Sequence, residues 1–81
     1  MAFDNTCQIR RALINGNGLA QLDLKADNGA FDWSWFLSSS ANAKEVLAAA
    51  LTAIATNKTA YATINDPVQP FATLVNFGVV K

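Results

Sequence analysis

Apolar and polar residues alternate along most of this chain, and the alternation gives way once to a helical period. From Leu19 to Ala26, Ala20, Leu22, Leu24 and Ala26 fall on one side and Gln21, Asp23 and Lys25 on the other. That pattern predicts a half-buried antiparallel strand with a solvated polar face. Cys7 to Ile14 is apolar enough for an earlier strand, but its alternation falters at Arg10-Arg11, where a bulge fits. In a regular strand those two arginines would point to opposite faces. Asn15-Gly16-Asn17-Gly18 joins the two strands, because Asn-Gly pairs reach positive φ easily and favour hairpins. Asp27-Asn28-Gly29 marks a second turn, after which Phe31, Trp33 and Trp35 alternate with Asp32, Ser34 and Phe36 in a third, aromatic strand.

The helical period begins after Ser38-Ser39-Ser40 and runs from about Ala41 to Thr56. Asn42 and Glu45 have the spacing of a capping box. Ala43, Val46, Leu47, Ala50, Leu51 and Ile54 form one broad apolar stripe, the expected core face. Ala48, Ala49 and Ala53 lie off that stripe and leave a second face without charge. Such a face suits a neighbouring subunit, although alanine is also tolerated on a solvated helix as the best helix former. Asn57 is placed to end the helix in the left-handed region. Two strands complete the chain, Thr59 to Ile64 and Phe71 to Val80, joined through Asn65-Asp66-Pro67. The last strand is apolar on both faces, with Leu74 and Val80 on the side opposite Phe77, so it calls for cover on both sides.

This order predicts a mainly β fold with one helix: a five-stranded OB-like antiparallel barrel, order β-β-β-α-β-β, built as one domain over residues 1–81. A chain of 81 residues buries only about 60% of its unfolded surface, so it needs a further source of stability. The single cysteine, Cys7, excludes an internal disulfide, and the absence of histidine makes a structural zinc site improbable. With 52% hydrophobic and only 15% charged residues, a homo-oligomer is the expected remedy. Ala48, Ala49, Ala53, Leu74 and Val80 are its candidate interface residues.

The segment Ala43-Lys44-Glu45-Val46-Leu47, followed by Ala53-Ile54-Ala55-Thr56-Asn57-Lys58-Thr59, the turn Asn65-Asp66-Pro67 and an apolar last strand, resembles the pentameric B subunits of bacterial AB-type toxins, cholera-like and subtilase-cytotoxin-like, and related small bacterial proteins. The likeness covers roughly the C-terminal half and rests on element order and helix length. It implies an OB fold and a ring, typically of five subunits, with helices at the centre and edge strands paired between neighbours. Two departures limit the transfer. The disulfide of those subunits cannot form here, and no aromatic residue stands near Ile64-Asn65, where the cholera-like group holds a sugar. A ring-forming binding or structural module is therefore expected first, and a carbohydrate-binding subunit second.

Net charge is zero, from six cations and six anions, and this disfavours nucleic acid, whose binding draws on phosphate neutralisation. Catalysis is not expected. Histidine, the commonest acid–base group at neutral pH, is missing, and Cys7 has no histidine to activate it, so a buried thiol is the simpler reading. Asp23, Asp27 and Asp32 lack the spacing of a calcium loop and are read as solvated, so neither a metal nor another cofactor is expected. Trp33, Trp35 and Phe36 are the candidate ligand-binding residues, for a glycan or for single-strand stacking. The competing expectation is that two of Phe31, Trp33 and Trp35 fill the core and Phe36 faces a neighbour. Asn57-Lys58-Thr59 has the form of a glycosylation sequon. Met1-Ala2-Phe3-Asp4-Asn5 shows no leader, and no apolar run reaches the ~20 residues of a membrane helix. A soluble chain is expected, cytoplasmic or secreted after loss of a leader.

Overall fold

A computed structural model describes residues 2–80; Met1 and Lys81, one of the six cations counted above, lie outside the described residues. Five strands and one α-helix follow in the order β1 (Phe3–Ile14), β2 (Ala20–Ala26), β3 (Ser34–Leu37), α1 (Ala43–Thr56), β4 (Thr59–Ile64) and β5 (Leu74–Val80), with a short 3-10 turn at Ser40–Asn42. The strands form one sheet in the order β3-β2-β1-β4-β5, every ladder antiparallel. The fold is thus mainly β with a single helix. The outer strands approach each other at one place. Leu37 and Thr73 form a parallel bridge, Leu37 N–H donates to Ala72 O at 3.0 Å, and Phe71 N–H donates to Trp35 O at 2.6 Å.

The turns form where the sequence placed them. Asn15 Oδ1 accepts the N–H groups of Asn17 and Leu19 and so closes the β1–β2 hairpin, with Gly18 at φ +77°. Glycine takes that conformation without the Cβ clash other residues meet. Asn57 ends α1 at φ +54°, and Lys58 N–H reaches back to Ala53 O at 2.9 Å, satisfying a carbonyl the helix leaves open. The helix start differs from expectation. Asn42 makes no capping bond to the helix; its Oδ1 instead accepts the Ser39 hydroxyl at 2.9 Å. Ser38, one of the three serines, is buried and joins the sheet: its N–H donates to Ala20 O and its hydroxyl accepts Ala20 N–H.

The core gathers Phe3, Leu22, Leu24, Phe36, Ile64 and Leu74 with many small residues, among them Cys7, Ala20, Ala60 and Ala62. The helix meets this core through Ala43, Val46 and Ala50 of the expected stripe, with Leu47 packed beside them, and through Ala53, which was placed off it. Leu51 and Ile54 stand 49% and 36% exposed. The buried face is thus turned from the expected stripe towards Ala53, which leaves Leu51 and Ile54 outside it while Val46 and Leu47 still pack on the core. Ala53, expected on an interface, is therefore a core residue, whereas Ala48 is exposed and Ala49 half-buried. Leu74 is likewise buried and Val80 half-buried.

The last strand starts at Leu74, three residues later than expected, because Phe71 adopts a positive φ of 67° and breaks the extended run. Its pairing with β4 shifts between Thr63 and Ile64, so Val75 is an extra residue and the simple alternation from Phe71 to Val80 is lost.

Candidate functional site

The expected irregularity at Arg10-Arg11 organises the outer face of β1, β2 and β3. Ile9 pairs with Leu24 and Arg11 with Asp23, so Arg10 is the inserted residue of a bulge. An inserted residue resets the alternation. Both arginines consequently turn to the same face, against the expectation that they point apart. Arg10 Nε lies 2.6 Å from Asp23 Oδ2, and Arg11 reaches the same oxygen with Nε at 3.1 Å and Nη2 at 2.9 Å.

The tryptophans cover this group. The Arg10 guanidinium lies 4.4 Å from the ring centroid of Trp33, and that of Arg11 lies 4.8 Å from Trp35. Both distances are within the range of cation–π attraction. Asp23, Arg11 and Trp35 form a row across three strands, since Asp23 pairs with Arg11 on one side and Trp35 on the other. Asp23 is only 1% exposed, in contrast to the solvated position expected for it. A carboxylate is buried at tolerable cost only when paired and hydrogen-bonded, and here three N–H groups converge on it. The arginine side chains remain 48% and 58% exposed. They bring a stacked face and unused N–H edges to the surface. Lys25, two residues beyond Asp23 on the same side of β2, is exposed as well, and Gln8 beside it holds Asp27 at 3.0 Å.

Trp33 and Trp35 are therefore half-buried on the outer face, while Phe36 is not with them. Phe36 is fully buried, so it faces neither a ligand nor a neighbouring chain. It packs on Phe31 with centroids 4.8 Å apart, and Phe31 packs on Phe3 at 4.9 Å. The phenylalanines of this segment thus go inward and its tryptophans outward. Alternation alone groups Phe31 with Trp33 and Trp35; the irregular chain before Ser34 separates them. Sequence reasoning left Arg10, Arg11 and Asp23 out of the site. Their signal was the faltering alternation at the arginine pair, which marked the bulge without revealing its consequence. Phe71, 54% exposed and tied by its N–H to Trp35 O, borders the same segment.

Other chemistry is sparse. Cys7 is buried, and burial together with the negative charge of Asp27 pushes its thiol up to about 12. Among the described residues no three metal-ligating side chains converge, and no helix is long and apolar enough to cross a membrane. Two open depressions, of about 380 and 340 Å³, lie away from the tryptophans. The first runs along Ala2, Phe3 and Val68, and the second along Asn65, Pro67 and Thr73. Comparison with protein families, with curated proteins and with solved structures found no match.

Proposed function

We propose that this chain is a non-enzymatic, self-assembling module, its sheet rolled into an OB-like barrel with α1 across one end, and that copies join through β5. The barrel is supported by the Leu37–Thr73 bridge and the two flanking backbone bonds, which draw β3 to the chain just before β5 and leave the edge of Leu74–Val80 itself unpaired. The observation that carries the assembly is the edge of β5. Among the described residues, no backbone or side-chain hydrogen bond reaches this strand on the side away from β4. Its sequence, LVNFGVV, contains no charge and no proline, and Val75 and Val79 are exposed. Proteins that remain monomeric blunt such an edge with charge, proline or cover. An unprotected edge favours a β-strand as its partner, and a second copy of this chain supplies one.

Exposed Leu51 and Ile54 on α1 add apolar surface for the same purpose, at about 25 cal/mol per Å² buried. Copies joined through unlike surfaces form a ring where the rotation between them closes and an open filament where it does not, and the five-membered ring implied by the toxin-subunit resemblance is the form this reading takes. Native mass spectrometry and sedimentation at micromolar concentration test it. A closed oligomer is expected, and Val79→Lys on the edge should shift it towards monomer. A monomeric wild-type mass overturns the reading.

A further inference from the structure

We infer that the outer face of β1, β2 and β3 binds single-stranded nucleic acid. Zero net charge counted against this partner, but the bulge at Arg10 alters the local balance. Arg10, Arg11 and Lys25 stand on one face around the buried Asp23, with Asp27 held by Gln8 at the strand end. Cations and aromatic rings are interleaved there in two like units, Arg10 on Trp33 and Arg11 on Trp35. Trp33 and Trp35 are two residues apart, at most ~7 Å in extended chain, an interval comparable to that between phosphates of an extended single strand. Each guanidinium is held in place by Asp23 and by an indole, so little side-chain freedom remains to be lost on binding. The unused N–H edges of each arginine suit a phosphate, which a planar guanidinium can grip with two parallel bonds. Bases freed from pairing can stack on the guanidinium and indole planes. A duplex keeps its bases stacked on each other and offers none to this face.

Titration of the native protein with a short oligothymidylate, read by tryptophan fluorescence, tests this. Quenching at low salt is expected, with log K falling against log salt at a slope of about −1.4 to −2, the value for two or three phosphates on a single strand. Trp35→Ala should weaken binding tenfold or more with the slope unchanged. Arg11→Ala should reduce the slope by about 0.7. Asp23→Asn keeps the shape and a carbonyl acceptor that can still hold the arginines but removes the negative charge between them, so it should tighten binding at low salt; a merely structural cluster would not respond so. Circular dichroism of each variant confirms that the fold is retained, and Arg10→Lys, which keeps the charge but loses the planar fork, should also weaken binding. Absence of quenching at low salt overturns the inference. So does equal affinity for duplex DNA or for a sulfated polysaccharide, which would reduce the face to a general polyanion surface.

Discussion

Arg11 and Asp23 face each other across the β1–β2 ladder and are joined by two hydrogen bonds, from Nε at 3.1 Å and Nη2 at 2.9 Å, to one carboxylate oxygen. The carboxylate is buried and the guanidinium is more than half exposed. This asymmetry determines which partner is costly to change. An arginine whose partner is removed can still be solvated, whereas a carboxylate stripped of its donors is left in a poorly solvated place.

Arg11→Ala should therefore destabilise the protein by about 1–2 kcal/mol, and Arg10→Ala,Arg11→Ala together by more than the sum of the single changes. Either single variant leaves Asp23 one donor group, but the double variant leaves none. Urea denaturation of the two single variants and the double variant measures the coupling. Strict additivity would mean that the two arginines act independently on Asp23.

The helix provides a second test. If Leu51 lay in the core, as its place in the apolar stripe predicted, Leu51→Ala would cost about 2–5 kcal/mol. With Leu51 half exposed, a change within about 0.5 kcal/mol is expected in the unassembled chain. Ala53→Leu, at a buried position off the expected stripe, should instead destabilise by about 1–3 kcal/mol through overpacking. Thermal denaturation of both variants at low concentration distinguishes the two orientations of α1.

That contrast explains what could be read from the chain. Local chemistry was legible: Asn15 and Gly18 make the hairpin, Asn57 ends the helix, and the faltering pattern at Arg10-Arg11 is a bulge. These features depend on a few neighbouring residues. The buried side of α1 was legible in part: Ala43, Val46, Leu47 and Ala50 face the core as the stripe predicted, whereas Ala53 is buried in place of Leu51 and Ile54, because an alanine-rich helix is apolar on almost every side. Asp23 was misplaced for a related reason. Alternation puts it on the outer face correctly, but its burial depends on Arg10, Arg11, Trp33 and Trp35 folding over it. Two irregularities, at Phe71 and Val75, displaced the last strand from its predicted range, and neither leaves a mark in the apolar pattern.

Asp4 and Tyr61 form an exposed pair across β1 and β4. The Tyr61 hydroxyl donates to Asp4 Oδ1, which also accepts the Thr63 hydroxyl at 3.0 Å. The Tyr61 bond, and then that from Thr63, hold the Asp4 carboxyl below its ordinary 3.8, while the same carboxylate raises the Tyr61 phenol above 10.0. Any stability from Asp4 is present above pH 3.8 and lost as pH falls through its lowered value. Tyr61→Phe should move the Asp4 titration back towards 3.8 without abolishing the shift, since Thr63 remains. Carboxyl-carbon NMR titration reads this directly, and an unmoved Asp4 would rule out the tyrosine as the main cause.

Through its burial, Cys7 links the stability of the fold to alkaline pH. It packs against Ala26 on β2 and Ala60 on β4 as their ladder partner, fully buried, and its thiol is pushed up to about 12 by burial and by the negative charge of Asp27. The folded chain therefore keeps this proton over a range in which the unfolded chain, near 9.0, releases it. The contribution is fully present below pH 9.0 and declines as pH rises from there towards 12, by up to about 1.4 kcal/mol per pH unit. Between pH 9.0 and 10.5 the wild type should thus lose about 2 kcal/mol more stability than Cys7→Ala, which lacks the titrating group. Urea midpoints of the two proteins at both pH values give the difference, and parallel loss in both would mean that other groups control the alkaline transition. Iodoacetamide labelling gives the same contrast kinetically: at pH 8 the thiol should react at the rate at which the fold opens, and added urea should accelerate it.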